Sequence, residues 1–156
     1  MNSLLRKQNM NQKPKTYIDC TCLLTTEQAL KYLNTTEEKL STARREGLFF
    51  ALKLNEKHYL YPKSEIEKYK IKTDPMPEVF EKEIEVEIGQ KDAYTLYDVT
   101  QLLNVDERSI NRYCKDNRLK KTPLTKKRSF YFKRNIVRFL KNCILDNIQT
   151  IEKEIL

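Results

Sequence analysis

The sequence predicts a mainly α fold with small β-hairpins (α+β), built from two copies of one pattern and closed by a C-terminal helix. Three observations carry this. Leu24–Phe50 and Tyr94–Lys120 repeat one order of caps, apolar positions and turn residues about 70 residues apart. Each copy then runs into two short apolar stretches around a polar turn. From Asn135 onward, apolar residues recur every three or four positions with no Gly or Pro. The chain has 156 residues, enough for one ordinary domain or two very small ones. At 39% hydrophobic and 33% charged it can build small cores but no membrane span, and two glycines argue against a glycine-rich nucleotide-binding fold.

Each copy opens with a capping threonine, Thr25 or Thr95, and a polar residue three positions on, Gln28 or Asp98. A short amphipathic helix follows, carrying Ala29, Leu30 and Leu33 or Val99, Leu102 and Leu103. Asn34 or Asn104 then suits the left-handed turn between two helices. Thr36 or Asp106 caps a second helix, with Leu40 and Ala43 or Ile110 and Tyr113 turned inward, and Gly47 or Asn117 suits its left-handed stop. This is a helix-turn-helix unit, twice. The strand-like Phe50–Leu54, the turn Asn55–His58 and the return Tyr59–Tyr61 form a hairpin, the wing; Lys120–Leu124, Thr125–Arg128 and Ser129–Phe132 repeat it. A last helix is expected to start at Ser64, with Glu67 closing a capping box, or at Asn135, so that the offset grows to 71.

The runs Leu24–Thr36, Arg44–Leu48 and Tyr61–Tyr69 resemble the excisionase-type, MerR-like winged helix-turn-helix family. The likeness covers Leu23–Tyr69 well and Tyr94–Leu140 loosely. In the second copy Asn stands for both glycines of the pattern, Tyr97 for an acidic residue, and the wing is longer. The resemblance implies two winged helix-turn-helix domains in tandem and binding to double-stranded DNA. The family includes regulators, excision factors and segregation or packaging proteins. The expected layout is a basic arm at 1–22, a first domain at 23–70, an acidic connector at 71–93, a second domain at 94–140 and a C-terminal amphipathic helix at 141–156.

Thirty Lys and Arg against 22 Asp and Glu give a net charge of +8, and Tyr94–Leu156 alone holds fourteen against seven. Such a surplus points to a polyanion. In a helix-turn-helix the second helix enters the major groove. In the second copy this leaves Arg108, Ser109, Asn111, Arg112 and Lys115 outward, including the side-chain types that read guanine and adenine. Lys126, Lys127 and Arg128 at the wing tip and Lys133 and Arg134 after it are expected on phosphates. In the first copy the candidates are Lys39, Thr42, Arg44, Arg45 and Lys57, but its second helix begins with Glu37 and Glu38, and its wing is nearly neutral. That copy is read either as a second DNA reader or as a docking surface for a recombinase, polymerase or other protein, and the alternative for the whole chain is a protein-interaction adaptor with the winged folds as docking surfaces.

Arg6, Lys7, Lys13 and Lys15 make the N-terminal stretch a flexible, phosphate-seeking arm. In the connector Pro75 and Pro77 break any helix, while Ile84, Val86 and Ile88 alternate with Glu83, Glu85 and Glu87, which fits a strand as well as a helix. The stripe continuing through Ile144, Ile148, Ile151 and Ile155 needs a partner surface. The resemblance favours an antiparallel homodimer; the rival is packing back onto the first domain. Cys20, Cys22, Cys114 and Cys143 are irregularly spaced, which predicts surface or partly buried reduced thiols in a cytoplasm rather than disulfides or a metal site. His58 has no paired nucleophile, so the chain is expected to be non-catalytic and free of cofactors, and to come from a bacterium or its phages and plasmids, where it would associate with the nucleoid.

Overall fold

In the computed structural model, residues 16–71 and 84–155 are described. They form a mixed α/β fold with six helices and three small sheets. Strand β1 (Thr16–Asp19) precedes a unit of β2 (Leu23–Thr25), α1 (Thr26–Leu33), α2 (Glu37–Arg45), β3 (Leu52–Asn55), β4 (His58–Pro62) and α3 (Lys63–Ile71). Strand β5 (Ile84–Glu87) leads to a second unit: β6 (Ala93–Tyr94), α4 (Leu96–Leu103), α5 (Glu107–Lys115), β7 (Thr122–Pro123), β8 (Ser129–Phe132) and the long α6 (Lys133–Ile155).

Local sequence sets the ends of the helices in both units. Thr25 and Gln28 close a reciprocal capping box, as do Thr95 and Asp98. Thr36 accepts from the Lys39 N–H and Asp106 from the Ser109 N–H, so an orphan donor at the start of each second helix is satisfied. Asn34 and Asn104 are left-handed at φ 51° and 54°, and Gly47 and Asn117 at 70° and 60°. The last two end α2 and α5 in the same paired hydrogen bonds: Leu48 N–H to Ala43 and Gly47 N–H to Arg44, matched by Arg118 to Tyr113 and Asn117 to Cys114.

The offset stays at 70 throughout. Leu24 pairs with Tyr61 as Tyr94 pairs with Tyr131, and the last helices start at Lys63 and Lys133. Ser64 and Asn135 therefore lie inside their helices rather than starting them, and the Ser64 hydroxyl donates to the Asp19 carbonyl instead. Within each sheet the strand preceding the first helix pairs with the return strand of the hairpin, in the order β2-β4-β3 and β6-β8-β7.

Packing overturns one expectation and decides between alternatives at two others. Residues 16–19 are a strand rather than a flexible arm, with Ile18 and Cys20 fully buried; the arm's Arg6, Lys7, Lys13 and Lys15, like Pro75 and Pro77, lie outside the described residues. The connector's Ile84–Glu87 pairs in parallel with β1, Thr16 opposite Ile84, and puts Ile84, Val86 and Ile88 into the core. The C-terminal helix packs on β3, β5, β8 and α2 of its own chain. Ile144 is fully buried there, Ile151 is 9% exposed, and Ile148 packs against the same cluster, so this stripe is not free to form a seam between copies. The Ile155 side chain lies outside the description.

Two apolar clusters result. A small one belongs to the first unit, with Ala29, Leu40, Ala43, Phe49, Tyr61 and Ile66. The large one is shared: Leu52, Leu54 and Leu60 from the other face of the first sheet meet Ile18, Val86, Ile110, Phe139 and Ile144. Full burial of each such aliphatic chain contributes about 1.5–3 kcal/mol, so the two units are held together by core rather than by a tether.

Candidate nucleic-acid interface

Helix α5 buries Ile110 and Tyr113 and leaves Arg108, Asn111, Arg112 and Lys115 outside the core, with Ser109 half-buried at the edge. The 3.6-residue period does this: 110 and 113 share the inner face, and the positions between them fall outside. The Asp106 cap fixes the start of the helix. Its carboxyl is held below the ordinary carboxylate value by hydrogen bonds from the Ser109 side chain and backbone, with smaller help from Arg108 and Arg112.

The second wing is preformed. The Thr125 hydroxyl oxygen accepts from the Lys127 and Arg128 N–H groups at 3.3 and 3.1 Å, and the Leu124 and Thr125 N–H groups donate to the Arg128 carbonyl at 2.8 and 3.1 Å. Lys126, Lys127 and Arg128 are thus presented together, all exposed. Neither they nor the cations of α5 enter an ion pair among the described residues. Arg134 is exposed as well, its guanidinium 4.9 Å from the Phe132 ring centre.

Other expected contacts are committed elsewhere. Lys133 donates to the Gly89 carbonyl at 2.6 Å and lies 3.4 Å from Glu87, so it ties the last helix to β5 and is not free for a phosphate. Arg44 donates to the Tyr61 hydroxyl at 2.8 Å and lies 3.7 Å over the Tyr59 ring, which removes it from the groove-facing set. Thr42 turns its hydroxyl back to the Glu38 carbonyl at 2.9 Å. Lys39, Arg45 and Lys57 stay exposed, the first two on the helix that Glu37 and Glu38 begin. The structure therefore gathers the second unit's cations on one helix and one hairpin tip, and scatters those of the first.

Arg118 carries no motif in the sequence, yet it joins the units. It donates to the Leu54 carbonyl at 2.7 Å and to the Cys143 sulfur at 3.7 Å, and lies over the Tyr113 and Phe139 rings. The Asn104 side chain likewise donates to the Leu23 carbonyl of the first unit. Only a signal of long-range packing could have revealed either. Cys20 and Cys143 are fully buried, against expectation, and burial pushes the Cys143 thiol up to about 12. All four cysteines are free, and the described residues contain no cluster able to hold a metal ion.

Residues 23–72 match the family model described as a helix-turn-helix domain. DNA is the supported partner, and such domains are typically non-catalytic binders. No curated protein and no solved structure matches the chain. No helix among the described residues is long and apolar enough to cross a membrane.

Proposed function

We propose that this helix-turn-helix protein is a tandem, MerR-like winged helix-turn-helix protein that binds double-stranded DNA sequence-selectively and without catalysis. In this reading the second unit is the principal reader. The observation that carries it is the set Arg108, Asn111, Arg112 and Lys115 facing outward on α5, together with a preformed tip of Lys126, Lys127 and Arg128. Arg112 and Asn111 supply base contacts, while the wing and Arg134 supply phosphate contacts that add affinity without sequence choice. A regulator, an excision or recombination-directionality factor, or a segregation factor of a bacterial mobile element all fit this chemistry, with the nucleoid as its place of work.

A second reading concerns the first unit. Its second helix starts with Glu37 and Glu38, Arg44 is tied to Tyr59 and Tyr61, and α6 packs on both α2 and β3. These features favour a protein partner, such as a recombinase or polymerase, over a second stretch of DNA. The apolar face of α6 is already used within the chain, so no homodimer seam is placed on it.

Selection of bound sites from random duplex DNA tests the reading, and the number of half-sites recovered reports how many units read. Replacing Lys126, Lys127 and Arg128 together by Ala should weaken specific and random DNA alike. It should also lower the slope of log K on log salt by about 0.9 for each phosphate no longer neutralised. An unchanged slope removes the wing from the interface.

A further inference from the structure

The 70-residue repeat places Glu65 and Asn135 at the same position, the third residue of α3 and of α6. Both are buried, at 6% and 7% exposed. In the first unit Glu65 has two partners: it accepts from the Phe50 N–H at 3.3 Å and pairs with Lys68 at 3.2 Å. The loop beside it, Phe50 and Ala51, is apolar and buried. The carboxylate is thus satisfied within the unit.

In the second unit the carboxylate and the apolar loop are replaced, and the cation is kept. Asn135 replaces the carboxylate and makes no side-chain hydrogen bond among the described residues. Lys120 and Lys121, both exposed, stand where Phe50 and Ala51 stand, and Arg138 stands where Lys68 stands, without a carboxylate partner. Between them lies an open cleft of about 580 Å³, walled by the end of α5, the loop that follows it and the first turns of α6. Asn111, Cys114, Lys115, Asn117 and Leu119 also line it, and no acidic side chain takes part. Arg118 borders it but is occupied by Leu54 and Cys143.

Four cations around an amide that lines the cleft define a site for a compact anion with several acceptor oxygens. We infer that the second unit carries a phosphate-binding cleft, in which a phosphate group takes the place that the Glu65 carboxylate holds in the first unit. Arg138 and Lys121 provide the charge, and Asn135 donates its amide N–H to a phosphate oxygen. The phosphate has two sources. One is a phosphodiester of DNA flanking the groove that α5 enters, which rests on the function proposed above. The other is a free phosphorylated small molecule, for which the cleft is large enough.

Three full-length proteins test this: the wild type, a Lys121→Ala/Arg138→Ala double variant, and Asn135→Glu, which restores the internal anion that the first unit already accommodates. Inorganic pyrophosphate is titrated while the Asn135 and Asn117 signals are followed by NMR (in Asn135→Glu, Asn117 and the Arg138 backbone amide), and duplex DNA affinity is measured across salt. If pyrophosphate shifts the wild-type signals and both variants lose the response, the cleft takes free phosphate. If the DNA salt slope instead falls in the double variant, by about 0.9 for each phosphate no longer neutralised, while the preferred sequence is unchanged, its phosphate is the phosphodiester. Both responses together assign both sources. Wild-type signals that ignore millimolar pyrophosphate, with a DNA salt slope equal in all three proteins, overturn the cleft; the wing variant then shows whether DNA binding itself stands. Should no protein bind DNA at all, the proposed function fails, and pyrophosphate alone decides the cleft.

Discussion

In the first unit Arg44 is bonded to Tyr61; seventy residues on, the same two positions hold Cys114 and Tyr131, whose hydroxyl is pushed up to about 12, chiefly by burial and further by Cys114. The first unit's Thr42 is turned back on its helix, whereas its counterpart Arg112 is exposed. Glu38 corresponds to Arg108, and Glu65 to Asn135. The backbone of the two units is held by equivalent caps and stops, yet at these matched positions the first unit's Arg44, Thr42 and Glu65 are bonded within the chain, while Arg108 and Arg112 of the second face out. A shared fold therefore carries two unlike surfaces. One has its matched side chains bonded inside the chain, and the other presents exposed cations on α5 and the hairpin tip.

The largest expected effect comes from breaking what joins the units. Ile144 is fully buried in the shared cluster, so Ile144→Asp leaves an uncompensated charge there and should destabilise the chain by about 3–5 kcal/mol in a urea titration followed by circular dichroism. Loss of dimers from solution with folding unimpaired would instead mean that the helix works between copies.

Removing the Arg118 strut should come next. Arg118→Ala leaves the Leu54 carbonyl without its donor and should cost about 1.5–3 kcal/mol of stability, the range for hydrogen bonds to charged groups. Hydrogen exchange should then quicken on β3 and at the end of α5 together. If only one of the two responds, the units are not coupled through this residue.

The contrast between the second helices of the two units is sharpened by matched substitutions. Arg112→Ala should weaken the best DNA site by about 1–3 kcal/mol and relax one base position, while random DNA falls less. Thr42→Ala, at the corresponding place, should change neither. Arg112→Lys keeps the charge but loses the planar fork, so full rescue by lysine would make Arg112 a phosphate contact. The reverse pattern, with Lys39 essential and Arg112 silent, would make the first unit the reader.

The smallest effect separates the units by acid. Asp98 and Asp106 cap α4 and α5, and both carboxyls are held below their ordinary value of 3.8, Asp98 mainly by the Thr95 N–H and Asp106 by Ser109. A depressed pKa contributes stability above the unfolded value and loses it as pH falls through the folded one. The second unit's helix starts should thus loosen below about pH 3.8, whereas the Thr25 and Thr36 caps of the first do not titrate. Amide NMR signals of Asp98 and Ser109 against Gln28 and Lys39 measure this; parallel changes in both units would show that the caps are not responsible.

The caps and turns of the two helix-turn-helix pairs, their inward positions and the exposed basic face of α5 were legible in the sequence, whereas the caps expected at Ser64 and Asn135 fall inside their helices. Thr25, Asn34, Asp106 and Asn117 act on neighbours within a few residues, so their chemistry does not depend on the rest of the chain. The charge contrast between the copies was equally local. What the stripe at Ile144 and Ile151 would cover, and whether Ile84–Ile88 would stay in solvent, could not be read, because periodicity fixes that an apolar face needs a partner and not which partner it finds. The roles of Lys133, Arg44 and Arg118 were hidden for the same reason. A cation's sequence neighbours do not reveal a carbonyl or aromatic ring that folding brings beside it, and only the tertiary structure decides whether its charge is spent inside the molecule or offered outside.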